Sequence, residues 1–120
     1  MSIVHITLGV TPSLNELKNF WQYHKYKKLY LKQLKGYELI LGLKNPQKRK
    51  IKIERYGSRT LDRDNFIGGC KSLIDSLRDC GKPMRKYGLI VDDRDAYLEC
   101  EYEQIKCKRG EEKTRLTIWI

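Results

Sequence analysis

The chain has 120 residues, 33% charged and 40% hydrophobic, with 25 Lys+Arg against 15 Asp+Glu for a net charge of +10. That size fits one domain over residues 1–120, and that balance fits a globular chain and excludes a disordered one. No apolar run approaches the roughly 20 residues that span a bilayer, and Met1–Val10 lacks the basic start and long apolar stretch of a signal peptide, so a cytoplasmic location without a membrane partner is expected.

Ser2–Leu8 alternates, with Val4, Ile6 and Leu8 on one side and Ile3, His5 and Thr7 on the other, which predicts a strand. Thr11-Pro12-Ser13 is a turn, and Ser13 with Glu16 has the spacing of a capping box for a helix from about Asn15 to Leu34. Leu17, Phe20, Trp21, His24, Leu31 and Leu34 recur at helical spacing as its core face. Lys25, Lys27, Lys28, Lys32 and Lys35 crowd the other faces, with Tyr23, Tyr26 and Tyr30 between them. Gly36 is placed to stop the helix, and residues 37–43 fit helix or strand equally.

Lys48–Tyr56 alternates around Ile51 and Ile53 and predicts a Lys-rich strand. Residues 64–80 predict a second helix, with Asp64 as its N-cap and Phe66, Ile67, Cys70, Leu73, Ile74 and Leu77 as its apolar stripe. Gly68-Gly69 conflicts with that helix, since each Gly costs about 1 kcal/mol relative to Ala. Either the helix starts at Cys70 or something approaches the backbone closely there. Gly81 and Pro83 end it, and Tyr87–Val91 predicts a short strand running into Asp92-Asp93. Leu98, Cys100 and Tyr102 alternate with Glu99, Glu101 and Glu103, and after a turn at Lys108-Arg109-Gly110 a last strand carries Leu116, Ile118 and Ile120. The order β-α-β-α-β-β-β predicts an α+β fold, a mixed sheet packed by two main helices. Cys70, Cys80, Cys100 and Cys107 form no C-x-x-C pair, which argues against zinc, and without an export signal they are expected as reduced, buried hydrophobes.

The charge is divided along the chain. Residues 1–60 hold 13 Lys+Arg and three acids, so the whole +10 lies there, while residues 61–120 hold 12 of each sign. A basic half points to nucleic acid or an anionic membrane, and the membrane is disfavoured because the first helix needs its apolar face for the core. Lys25, Lys27, Lys28, Lys48, Arg49, Lys50 and Arg59 are the candidate phosphate-holding residues.

All seven aspartates fall between Asp62 and Asp95. Asp62 and Asp64, two apart in an extended segment, point to one side. Asp92-Asp93 is expected just past a strand. Hard oxygen ligands with open positions suit Mg²⁺, with Mn²⁺ as a substitute. Lys71, seven residues after Asp64 on one helix, reaches toward the same site, where it can neutralise a scissile phosphate, and Asp75 at i+4 can orient it. Singly, each group has a plainer use: a helix cap, a surface ion pair, a turn.

Asp62-Arg63-Asp64-Asn65, then Gly69-Cys70-Lys71, Asp75-Ser76-Leu77 and Gly88-Leu89-Ile90-Val91-Asp92-Asp93 resemble the RusA family of Holliday-junction resolvases, and Pro12-Ser13-Leu14-Asn15 resembles its N-terminal signature. The resemblance implies a homodimeric, Mg²⁺-dependent endonuclease that nicks four-way DNA junctions symmetrically. It implies Asp62, Asp64 and Asp93 as metal carboxylates and Lys71 as the essential lysine. In the bacterial enzyme for which the family is named the lysine follows D-x-D-N more closely; here Phe66–Cys70 intervene, a spacing that resembles phage-type members. The alternative is a non-catalytic module that binds branched nucleic acid.

Overall fold

In β1 (Ile3–Leu8) the two-residue period sends Ile6 and Leu8 into the core and leaves His5 and Thr7 in solvent. The same alternation buries Ile51 and Ile53 of β2 (Arg49–Gly57), and Leu116 and Ile118 of β4 (Lys113–Trp119). These strands belong to a computed structural model that describes residues 2–120. The four-stranded sheet has the order β1-β4-β2-β3, where β3 spans Leu98–Lys106. β3 runs parallel to β2, and β4 runs antiparallel to both β1 and β2. The fold is therefore α+β with a mixed sheet.

The expected first helix divides. Ser13 Oγ accepts from Glu16 N at 3.3 Å and Glu16 Oε1 accepts from Ser13 N at 3.2 Å, closing the capping box over the single turn α1 (Leu14–Leu17). Asn19 then caps a new helix, α2 (Phe20–Leu34), by accepting from Trp21 N at 2.8 Å. An Asn side chain that competes for backbone donors restarts the chain at this point.

The inward face of α2 is also rotated from the expected one. Tyr30 and Leu34 are fully buried and Tyr23, Tyr26 and Leu31 half-buried, whereas Phe20, Trp21 and His24 are exposed. The tyrosines turn inward because each hydroxyl finds an acceptor there. Tyr23 donates to Asp75, Tyr26 to Glu16 at 3.2 Å, and Tyr30 to the carbonyls of Gly9 and Val10 at 3.2 and 3.0 Å. Gly36, at φ +96°, stops α2, and α3 (Tyr37–Leu41) settles the ambiguous segment as helix.

The expected second helix divides as well, into α4 (Arg63–Gly69) and α5 (Lys71–Asp79), with Cys70 between them. A Cβ on Gly69 would overlap the Pro12 carbonyl, and one on Gly68 would meet the Leu14 side chain. Of the two expected resolutions the second holds: Gly68 and Gly69 lie inside α4, and residues 12–14 approach their backbone closely. Residues 87–91 form no strand. Leu89 and Ile90 are fully buried, but their N–H groups bond the Leu77 carbonyl at the end of α5 at 2.8 and 3.4 Å, so this apolar run plugs the helix end and never joins the sheet. The core lies between one sheet face and α2 with α5. The other face is open and laced by charges, among them Lys50, Lys52, Glu54 and Arg115.

Candidate functional site

The chain reaches the first aspartate through a fixed point. Leu61 N donates to Gln104 Oε1 at 2.9 Å and Gln104 Nε2 donates to Leu61 O at 2.8 Å, so β3 clamps the residue before Asp62 in both directions. Arg55 adds a second tie, donating to Thr11 O at 2.9 Å and Arg59 O at 3.3 Å. Asp62, not Asp64, is the N-cap of α4. Its Oδ1 accepts from Asn65 N at 2.9 Å and its Oδ2 from Asn65 Nδ2 at 3.0 Å. The Asn of D-x-D-N thus holds the first Asp in place. Asp64 lies in the first helical turn, exposed and without a hydrogen-bond or ion-pair partner among the described residues. Because the chain is already helical there, the extended-segment geometry expected for Asp62 and Asp64 does not apply.

Lys71 opens α5 with its ammonium exposed and 3.5 Å from Asp75 Oδ2. The break at Cys70 removes the expected continuous helical face from Asp64 to Lys71. Asp75 is buried, also accepts from Tyr23 and lies 3.9 Å from Arg78, so it joins α2 to α5 and holds the lysine at their margin. Burial, with the Asp75 carboxylate as acceptor, pushes the Tyr23 phenol well above its ordinary value.

Asp92 and Asp93 sit in a bend before β3, since residues 87–91 make no strand. Asp92 spends both oxygens locally, on Asp93 N at 2.8 Å and Arg94 Nε at 2.8 Å, and the first of these bonds is the largest cause holding its carboxyl below the usual range. Asp93 is exposed, next to Asp92 in the same bend. Tyr102 of β3 connects this bend to α4. Its ring meets Phe66 edge to face at 5.9 Å, and its phenol is raised first by burial and in lesser part by the Asp93 charge. Among the described residues no three His, Cys, Asp or Glu side chains gather into a metal-binding group. The donors are of the right kind for a hard cation, and Asp64 is uncommitted among the described residues.

The basic residues divide into two sets. Lys25, Lys28, Lys48 and Arg59 are exposed, with no carboxylate at ion-pair distance among the described residues. Lys27 is bonded to Asp79 at 2.7 Å, and Lys50 pairs with Glu101 at 3.1 Å and Glu99 at 3.7 Å while lying 4.8 Å from the Trp119 ring centroid. Arg49 is a correction to the expected phosphate surface. It is buried, its Nη1 donates to the carbonyls of Leu41 and Leu89 at 2.6 and 2.8 Å, and burial lowers its pKa. Acids from the second half of the chain offset part of the basic half. Parallel pairing sets Lys50 and Lys52 of β2 beside Glu99, Glu101 and Glu103 of β3.

No known family model and no curated protein matches this chain. Gln104, Arg55 and Asn65 position the Asp62 segment; Asn65 stood in the motif, while Gln104 and Arg55 act across the fold and left no local signal. All four cysteines are free. Cys70 and Cys80 are buried, with burial pushing their thiols up to about 12 and about 11.

Proposed function

We propose that the protein is a Mg²⁺-dependent endonuclease that cuts branched DNA and resolves four-way junctions by paired nicks. The observation that carries this reading is the presentation of Asp62 and Asp64 at the start of α4. Asn65 fixes the first carboxylate, and the second is exposed and unspent in a chain of net charge +10. Asp62, Asp64 and Asp93 are the residues that would hold the metal. When bound, the ion activates a water for in-line attack and offsets charge on the leaving oxygen. Lys71 neutralises the scissile phosphate from its place on α5, oriented by Asp75. Lys25, Lys28, Lys48 and Arg59 hold the flanking phosphates, since their charges are uncompensated. A homodimer would set two such sites across a two-fold axis, one on each opposed arm.

The test is a synthetic four-way junction incubated with Mg²⁺ or Mn²⁺, with and without chelator. Asp64→Asn should abolish nicking and keep binding, because it removes a ligand and also a charge that repels phosphate. A folded parent that binds the junction and never nicks it refutes the catalytic reading. The uncompensated charges of Lys25, Lys28, Lys48 and Arg59 serve equally well in a second reading, a module that binds branched nucleic acid without cutting it. In that case the same assay shows binding with no metal-dependent product, and Asp64→Asn has no cleavage to lose.

A further inference from the structure

The first turn of α2 exposes an aromatic ledge that the fold does not use. Phe20 is 66% and Trp21 77% exposed, although both lie in the residue class that usually goes inside. His24 completes the group. The Phe20 ring is 4.2 Å from the His24 ring centroid and 5.7 Å from that of Trp21. The ledge is firmly mounted. Asn19 caps its turn, and the neighbouring rows of α2 are pinned to α5 through Tyr23–Asp75 and Lys27–Asp79. Toward the C-terminal end of the helix the exposed side continues as Lys25, Lys28 and Lys32, and α2 contains no acidic residue.

We infer that this ledge stacks unpaired nucleobases, with Lys25, Lys28 and Lys32 holding the phosphates of the same strand. The inference rests on the nucleic-acid reading above and adds the part of the substrate this surface takes: bases freed from pairing at a branch point. Flat π faces next to an uncompensated cationic row are the two components of single-strand recognition, one for the base and one for the backbone. The charge argues against a second copy as the occupant. A two-fold contact is made of the same patch twice, and here it would crowd lysines against lysines. It argues equally against a protein groove that reads only the apolar rings, because the lysines continue the same exposed side of the helix.

The experiment uses the full chain in chelator, so that binding is read without cutting. Of the two tryptophans the other is Trp119, so in Trp119→Phe the emission reports Trp21 alone. A four-way junction and a single-stranded oligonucleotide should quench that emission, and an intact duplex of the same sequence should not. In the otherwise native chain, Phe20→Ala/Trp21→Ala should bind junction and single strand about 5- to 150-fold more weakly, the range that loss of one stacked base gives. Trp21→Tyr should retain most of the affinity. Junction binding with Trp21 emission unchanged and parent-like affinity in the double variant overturns this inference and leaves the nuclease reading standing. No binding to junction or single strand overturns both. Loss of a dimer in the double variant, seen by sedimentation, or Trp21 responding to anionic phosphatidylserine vesicles in place of oligonucleotides, would assign the ledge to another partner and overturn the inference.

Discussion

Arg49→Met separates the buried arginine from the exposed Lys48 beside it, which is proposed to hold phosphate. Methionine keeps an unbranched apolar stem of similar reach and removes the guanidinium. The carbonyls of Leu41 and Leu89, now bonded at 2.6 and 2.8 Å, then lose their donor inside a buried site. Each orphaned carbonyl costs about 1–3 kcal/mol. The variant no longer desolvates a charge, which offsets part of that loss, so a net destabilisation of about 2–3 kcal/mol is expected. For a chain of this size each kcal/mol moves the melting midpoint by roughly 4 °C, so Tm should fall by about 8–12 °C. Lys48→Ala is the contrast: an exposed side chain whose loss should leave Tm within about 2 °C and lower the salt dependence of DNA binding by about one phosphate contact. Thermal unfolding followed by circular dichroism, with binding titrations at several salt concentrations, reads both. A stable Arg49→Met protein with a weakened salt dependence would refute the assignment of Arg49 to the core.

Gly69→Ala drives a methyl into the Pro12 carbonyl, a backbone atom that cannot rotate away, and should cost about 1–3 kcal/mol in urea unfolding. Gly68→Ala meets only the Leu14 side chain, at 2.9 Å, and should cost less; equal effects would refute the clasp. Arg78, then Lys27 and Lys82, hold the Asp79 carboxyl well below the usual carboxylate range. Because the folded pKa is depressed, that stabilisation is present above the ordinary value of about 3.9 and is lost as pH falls below it. Asp79→Asn should therefore be less stable at pH 7 and lose less on acidification from pH 5 to 2, and a curve parallel to the parent's would count against the cluster. With an aromatic disulfide reagent at pH 8 the native protein should react first at Cys107, while Cys70 and Cys80 wait for unfolding. Early labelling of Cys70 would contradict its burial.

Where a strand has one wet face, the amino-acid pattern alone reveals its period. β1, β2 and β4 bury the residues that alternation selects, Ile6, Ile51, Ile53 and Ile118 among them. The errors share a cause, in that the deciding partner is distant in sequence. Phe20 and Trp21 are more apolar than tyrosine, yet the tyrosines are inside because Asp75, Gly9 and Val10 supply acceptors for their hydroxyls. Arg49 reads as one more cation until Leu41 and Leu89 bring their carbonyls to it. Residues 87–91 have the composition of a buried strand, and α5 captures their backbone donors before a sheet edge can. At the candidate site the residue types were legible and the helix cap fell two residues earlier than expected. The distances between carboxylates depend on how three separate segments lie, which no local pattern encodes.

The position of β4 sets the order in which this molecule can come together. β1 and β2 point the same way but do not touch, and residues 113–119 fill the space between them. A chain growing from its N-terminus therefore carries two strands with a strand-wide gap until those residues arrive. The last ladder to be made is also the one that joins β1 to the rest. Such non-local closure is entropically expensive and slow. Refolding should accordingly proceed with helices α2 and α5 docked early and the sheet sealed in a single late step.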